Sequence, residues 1–172
     1  MMTMPPRLRK GALTAHVACS VGSLGAVAAF LVLAVTAMRT GDEGLARAAY
    51  PAMDVIARLV VLPLVLASLV TGVVQALGTP WGLFRHYWVL TKLLLTLLVA
   101  GVLLLQLELV SHLARGAASG SLSLGELRAL GTSPALHAAG GLVVLLLPVV
   151  LSLYKPRGLT RHGWRKQHQQ VA

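Results

Sequence analysis

Four long runs of apolar residues alternate with short polar segments along this chain. The runs cover residues 12–38, 51–77, 86–110 and 135–154. Each has the roughly 20 residues that an α-helix needs to cross the hydrocarbon layer of a bilayer. Because backbone polar groups in lipid must bond within their own segment, each run is predicted to be a transmembrane helix. The pattern predicts an all-α integral membrane four-helix bundle in a single domain, residues 1–158.

Glycine, proline and charged residues mark the three connections between these runs. The connections lie at residues 40–44, 78–80 and 115–134. The third is glycine- and serine-rich and long enough to hold a short surface helix over residues 124–130. Residues 159–172 form a basic tail.

The composition supports a membrane location. Hydrophobic residues make up 56% of the 172 positions and charged residues 12%, and the mean hydropathy is +0.78. A soluble globule of this size cannot bury so much apolar surface, so lipid must cover the remainder. The net charge of +10 does not indicate nucleic acid, because the basic residues gather at the chain ends and beside the apolar runs.

Two sequence features at the start of the chain exclude other classes of protein. Basic residues before an apolar run are typical of a secretory signal, but the run that follows Lys10 is too long, and we expect a retained helix. Cys19 is the only cysteine. An internal disulfide and a thiolate cluster for zinc or iron and sulfur are therefore excluded.

Lysine and arginine predict the orientation of the bundle. With four crossings, the N-terminus, the second connection and the tail share one side. That side carries Arg7, Arg9, Lys10, Arg85, Lys155, Arg157, Arg161, Arg165 and Lys166. The opposite side carries Arg39, Arg47, Arg115 and Arg128, with Asp42, Glu43 and Glu126. The positive-inside rule then predicts cytoplasmic termini, and Trp81, Phe84, Tyr87 and Trp88 are typical of an aromatic belt at that interface.

Each predicted helix carries a stripe of small or polar residues. On the second helix the stripe recurs at steps of four and three. It consists of Asp54, Arg58, Val61, Val65, Ser68, Gly72 and Gln75. Such steps define one helical face, and we expect the four stripes to face one another. Close packing of membrane helices explains the glycines and serines in them.

Ionisable groups inside the apolar runs need a separate explanation, because each costs on the order of 3 kcal/mol at the bilayer centre. Asp54 and Arg58 are four residues apart and are predicted to form a structural ion pair. Glu108 and His112 lie on nearly the opposite helical face from Lys92. For these two, an interfacial role and a functional one both stay open.

His16 and His137 are the candidate ligands for a cofactor or metal. A neutral imidazole can ligate a metal through one nitrogen. Gly140 and Gly141, one turn after His137, leave space for a flat group such as haem, although close helix packing uses the same gap. The alternative for His16 is a hydrogen-bonded structural histidine, with Ser20 as a partner.

Several motifs resemble a superfamily of small bacterial membrane bundles that includes the membrane-type protoporphyrinogen oxidase and the copper-resistance D domain. They are His16 with Gly25 on the first helix, Arg58 on the second, and the sequence YWVLTK at residues 87–92. Residues 79–88, TPWGLFRHYW, and residues 154–158, YKPRG, look like an uncharacterised bacterial membrane family known only as a domain of unknown function. The resemblance implies the bacterial cytoplasmic membrane as location.

By this resemblance haem b binds within the bundle, His16 is a ligand and Lys92 is the catalytic or proton-handling residue. His137 lies outside the shared pattern and would be a second ligand. Ser23 stands where the oxidases carry a tryptophan, and the arginine expected later in the first helix does not occur in residues 26–37.

Three functions stay open for these residues. The first is haem b binding in a redox role, which would make an enzyme of this kind a membrane oxidoreductase. The second is handling of copper or another metal ion through His16, Cys19 and His137. The third is an accessory membrane subunit without chemistry, in contact with the bilayer and with a membrane partner or a second copy of itself. Sequence motifs of hydrolases and phosphate loops do not occur.

Overall fold

The computed structural model describes residues 4–79, 82–154, 158–160 and 164. The helices are α1 (Pro6–Arg39), α2 (Glu43–Ile56), α3 (Leu62–Gly78), α4 (Tyr87–Ser119) and α5 (Leu124–Tyr154). A single π-helical turn, Ala57–Val61, joins α2 to α3, so that Glu43–Gly78 runs as one continuous rod. The four resulting rods are each long and apolar enough to cross a membrane. This confirms the predicted all-α fold and is compatible with a multi-pass membrane protein.

The helices extend well beyond the apolar runs. Most of the predicted third connection belongs to α4 and α5, and the turn between them is limited to residues 120–123. Gly120 ends α4 with a φ of 70°, and Ser123 and Glu126 form a capping box at the start of α5. The expected surface helix over residues 124–130 is therefore the first part of α5.

The tightest packing lies at one end of the bundle, which we call the loop end because it carries residues 40–42 and 120–123. Fully buried side chains there include Tyr50, Met53, Leu113 and Leu127. The Tyr50 hydroxyl donates a hydrogen bond of 2.8 Å to the Leu127 carbonyl. Gly131 is required beside this ring, since a Cβ would lie 2.8 Å from the Tyr50 oxygen. Side chains from three rods thus close the loop end.

Met4 and residues 158–160 lie at the opposite end of the bundle, which we call the termini end. The Met4 amide donates to the Gly78 carbonyl at 3.1 Å, and the Thr160 amide donates to the Arg85 carbonyl at 2.9 Å. Most of the basic tail lies outside the described residues, as do Trp81 and five of the predicted topology charges. These charges are Lys155, Arg157, Arg161, Arg165 and Lys166. The cytoplasmic location of this end stays a prediction.

Candidate functional site

His16 is packed against α3 in the half of the bundle nearer the termini. Its Nδ1 lies 3.0 Å from the Ser68 carbonyl oxygen and 3.2 Å from the Thr71 hydroxyl. A Cβ at position 72 would lie 3.0 Å from His16 Cε1, so Gly72 makes room for the ring. Ser20 bonds to the Ser68 hydroxyl at 2.7 Å rather than to the histidine. His16 therefore holds two helices together through a satisfied ring nitrogen.

Lys92 lies in the same half of the bundle. Its Nζ donates to the Ser152 hydroxyl at 3.1 Å and lies 4.4 Å from the centre of the Trp88 ring. The Trp88 ring belongs to a core cluster with Ala76 of α3, one turn beyond the Gly72 that makes room for His16. The structure therefore brings His16 and Lys92 into one region, between different pairs of helices.

His137 lies on α5 beside Gln106 of α4. Its Nδ1 is 2.7 Å from the Ser133 carbonyl oxygen and 3.0 Å from Gln106 Nε2. A carbonyl oxygen can only accept, so Nδ1 carries the proton and the Nε2 of the neutral ring keeps its lone pair. No described residue bonds to that Nε2. This arrangement leaves one imidazole nitrogen available to a ligand.

A cavity of about 320 Å³ opens next to His137, between α1, the π turn, α4 and α5. Its described lining is apolar except for Gln106 and His137. The apolar lining includes Val27, Phe30, Ala57, Val61, Leu103, Leu107, Val110, Leu136, Gly140, Gly141 and Val144. A Cβ on Gly140 would have no neighbour within 4 Å. The open space expected beside the two glycines is therefore present.

The two candidate ligands do not face one site. Val27 of α1 lines the cavity with His137, whereas His16 is not among the lining residues. His16 precedes Val27 by eleven residues, which is about 16 Å along a helix. Two axial ligands must lie on opposite faces of one iron, so His16 and His137 do not share a haem. Among the described residues no group of three or more His, Cys, Asp or Glu side chains could hold a metal ion.

The cavity suits a smaller ring better than haem b. The Nδ1 bond to a carbonyl is how proteins orient a ligating histidine, and the apolar walls suit a porphyrin. However, the described lining contains no lysine or arginine to pair with the two propionates. The volume of about 320 Å³ is also at the lower limit for ligand pockets. Haem b therefore fits this site only in part.

The predicted Asp54 and Arg58 pair exists and is part of a larger network. Arg58 Nε lies 3.1 Å from the Asp54 carboxylate. The buried Ser111 hydroxyl of α4 lies 2.6 Å from both Arg58 Nη2 and Asp54 Oδ1. Glu108 is exposed, with its carboxylate 3.9 Å from Arg58 Nη2. Sequence reasoning missed Ser111; its position three residues after Glu108 was the one available signal.

The π turn places this network beside the cavity. Pro63 has no backbone N–H, so it cannot continue the α-helical hydrogen bonds. The turn before it is π-helical: the Leu62 amide donates to the Ala57 carbonyl, five residues earlier. Ala57 and Val61 of the turn line the cavity, and Arg58 points to Ser111. The two sites thus share one irregular segment.

Comparison with known proteins gave no relative. No protein-family model matches this chain, and no curated protein or solved structure matches it either. The resemblance to the oxidase and copper-resistance superfamily stays a prediction.

Proposed function

We propose that this multi-pass membrane protein binds a small lipid-soluble molecule in the cavity that α1, the π turn, α4 and α5 form beside His137. The observation that carries the proposal is the pair of polar side chains, His137 and Gln106, in a cavity whose described lining is otherwise apolar. Both belong to apolar stretches of helices that can cross a bilayer.

The free-energy cost of placing the polar side chains of His137 and Gln106 in lipid supports a bound ligand. A polar group without a hydrogen-bond partner in an apolar environment costs several kcal/mol, so such residues in membrane helices usually face a partner or a ligand. The oxygen of the Gln106 amide is buried and has no partner among the described residues. A bound molecule with a polar head would remove this cost.

Entry from the bilayer is consistent with how α5 sits in the bundle. Only 6% of its most apolar window is buried within the protein. His137, Leu136 and Gly140 are exposed and also line the cavity. A molecule dissolved in the hydrocarbon layer can therefore reach the cavity without crossing a packed interface.

Haem b in a redox or electron-transfer role is the second candidate. The observation that favours it is the His137 ring, with Nδ1 bound to a carbonyl and Nε2 available. Purified protein supplied with haem would then show a Soret band that is lost in His137→Leu and kept in His16→Leu. Residence in the bacterial cytoplasmic membrane, and a membrane partner or second copy, are parts of the proposal that rest on the resemblance and on the apolar surface.

The test fills the cavity and measures binding of a hydrophobic probe. We expect Gly140→Leu to weaken binding of para-pentylphenol at least about tenfold, since the new side chain occupies the open space next to His137. Gly25→Leu is the matched control, because Gly25 also has open space around its Cα but does not line the cavity. Equal binding by the two variants and the wild type would refute the proposal.

A further inference from the structure

Hydrogen-bond donors and acceptors around His137 define what a ligand must offer. The Nδ1 proton is used by the Ser133 carbonyl. In the neutral ring the remaining nitrogen, Nε2, is therefore an acceptor. The other described lining residues of the cavity are apolar, apart from Gln106. A ligand that satisfies this nitrogen must bring a hydrogen-bond donor.

Gln106 adds a second requirement. Its Nε2 lies 3.0 Å from His137 Nδ1 and 3.4 Å from the Ser133 hydroxyl, while its Oε1 is buried without a partner. Two N–H groups cannot bond to each other, so the Nδ1 contact becomes a hydrogen bond only after a half-turn of the amide. That half-turn moves the missing partner from the oxygen to the amide nitrogen. In either orientation one end of the amide needs a partner.

A hydroxyl group meets the first requirement, because it donates its one proton to His137 Nε2. A ketone, a quinone or an ether has only acceptors and cannot bond to His137 Nε2. The His137 ring therefore selects a hydroxyl head over a carbonyl head.

The size and walls of the cavity indicate the body of the ligand. An apolar cavity of about 150 Å³ is enough to bind benzene. The cavity beside His137 has about twice that volume and includes the Phe30 ring in its lining. It has room for a substituted aromatic ring, with edge-on or offset contact to Phe30.

We propose that the ligand is a lipid-soluble phenol, a class that includes hydroquinones, with its hydroxyl donating to His137 Nε2. This inference rests on the proposed function, since it names the ligand class for the same cavity. The apolar ring lies in the space beside Gly140 and Gly141, and the hydroxyl lies at His137 Nε2.

The test compares para-pentylphenol with its methyl ether, para-pentylanisole, on the full-length protein in detergent, after correction for partitioning into protein-free micelles. We expect the phenol to bind about five- to tenfold more tightly than the ether, the effect of one buried hydrogen bond. His137→Leu should remove this preference, so that the phenol and the ether bind equally to the variant. His112→Leu, an exposed histidine of α4 outside the lining, is the matched control.

A second measurement does not depend on the variants. Nitrogen NMR of ring-labelled histidine should show His137 with its proton on Nδ1, and its Nε2 signal should shift on addition of the phenol but not of the ether. Equal binding of phenol and ether to the wild type would overturn the inference and leave the proposed function standing. Binding of neither would refute the proposed function itself.

Discussion

The Ser111 hydroxyl shows how one neutral side chain can hold a charged pair inside an apolar bundle. It donates to the Asp54 carboxylate and accepts from Arg58 Nη2, both at 2.6 Å, and it also accepts from Arg58 Nε at 3.1 Å. Ser111 is only 4% exposed, whereas Arg58 is partly accessible. Hydrogen bonds to charged groups are stronger than neutral ones, particularly away from water. The serine therefore links α4 to the second rod.

We expect Ser111→Ala to destabilise the protein by about 1 to 3 kcal/mol, because both charged partners lose a partly buried hydrogen bond. The measurement is the free energy of unfolding in detergent. Thr91→Ala is the control, since the exposed Thr91 hydroxyl bonds only to the Tyr87 carbonyl of its own helix. The same loss in both variants would mean that the network adds nothing beyond a local hydroxyl contact.

At the scale of elements, the second rod keeps one buried face through its π turn. Buried residues recur at positions 53, 57, 61 and 65, three successive steps of four. In a regular α-helix each such step turns about 40° past a full circle, so three steps would carry the face about 120° away. The π turn has more residues per turn than an α-helix and so compensates for this rotation. As a result Met53 and Val65 both contribute to the main core of the bundle.

The hairpin between α4 and α5 depends on the backbone conformation of Gly120. Its φ of 70° is a left-handed conformation that a side chain disfavours. We expect Gly120→Ala to lower the free energy of unfolding by about 1 kcal/mol. Gly41→Ala, in the other turn at the loop end, should change it little, because Gly41 has open space and no positive φ. Equal effects at the two turns would argue against this role for Gly120.

The sequence was sufficient to predict the four spans and the pairing of Asp54 with Arg58, because hydrophobic run length and four-residue spacing are local properties. Counting along the four crossings also places His16 near one end of the bundle and His137 near the other. The partners of His16 could not be predicted: its ring bonds to the Ser68 carbonyl of α3 and not to Ser20. Helical periodicity shows which face a residue occupies but not which residues of the neighbouring helix it contacts. The contact of Ser111 with the ion pair could not be predicted either, because a serine in a membrane helix is most often a packing residue.

At the scale of the whole molecule, packing is uneven along the bundle. Most of the fully buried large side chains lie at or near the loop end, whereas the second core cluster, at the termini end, contains Ala76, Trp88 and Val89. The cavity lies between these two regions. The tightly packed loop end can therefore keep the four rods apart around the cavity.

Four crossings place both turns of the loop end on one side of the membrane and α1's start on the other. In a Cys19→Ala background, Gly41→Cys and Ser121→Cys should react with a membrane-impermeant maleimide from the same side. Leu8→Cys, exposed near the start of α1, should react only from the opposite side. The positive-inside rule predicts that this opposite side is the cytoplasm. Labelling of the two turns from different sides would contradict a four-crossing bundle.

The most direct test of the account is to identify what the protein carries from its own membrane. Wild type, Gly25→Leu and Gly140→Leu are purified in mild detergent, extracted with organic solvent and compared by quantitative mass spectrometry. We predict one hydrophobic small molecule, near one per protein chain, in the wild type and in Gly25→Leu, and its loss from Gly140→Leu. Extracts that do not differ among the three proteins would contradict a ligand site beside His137.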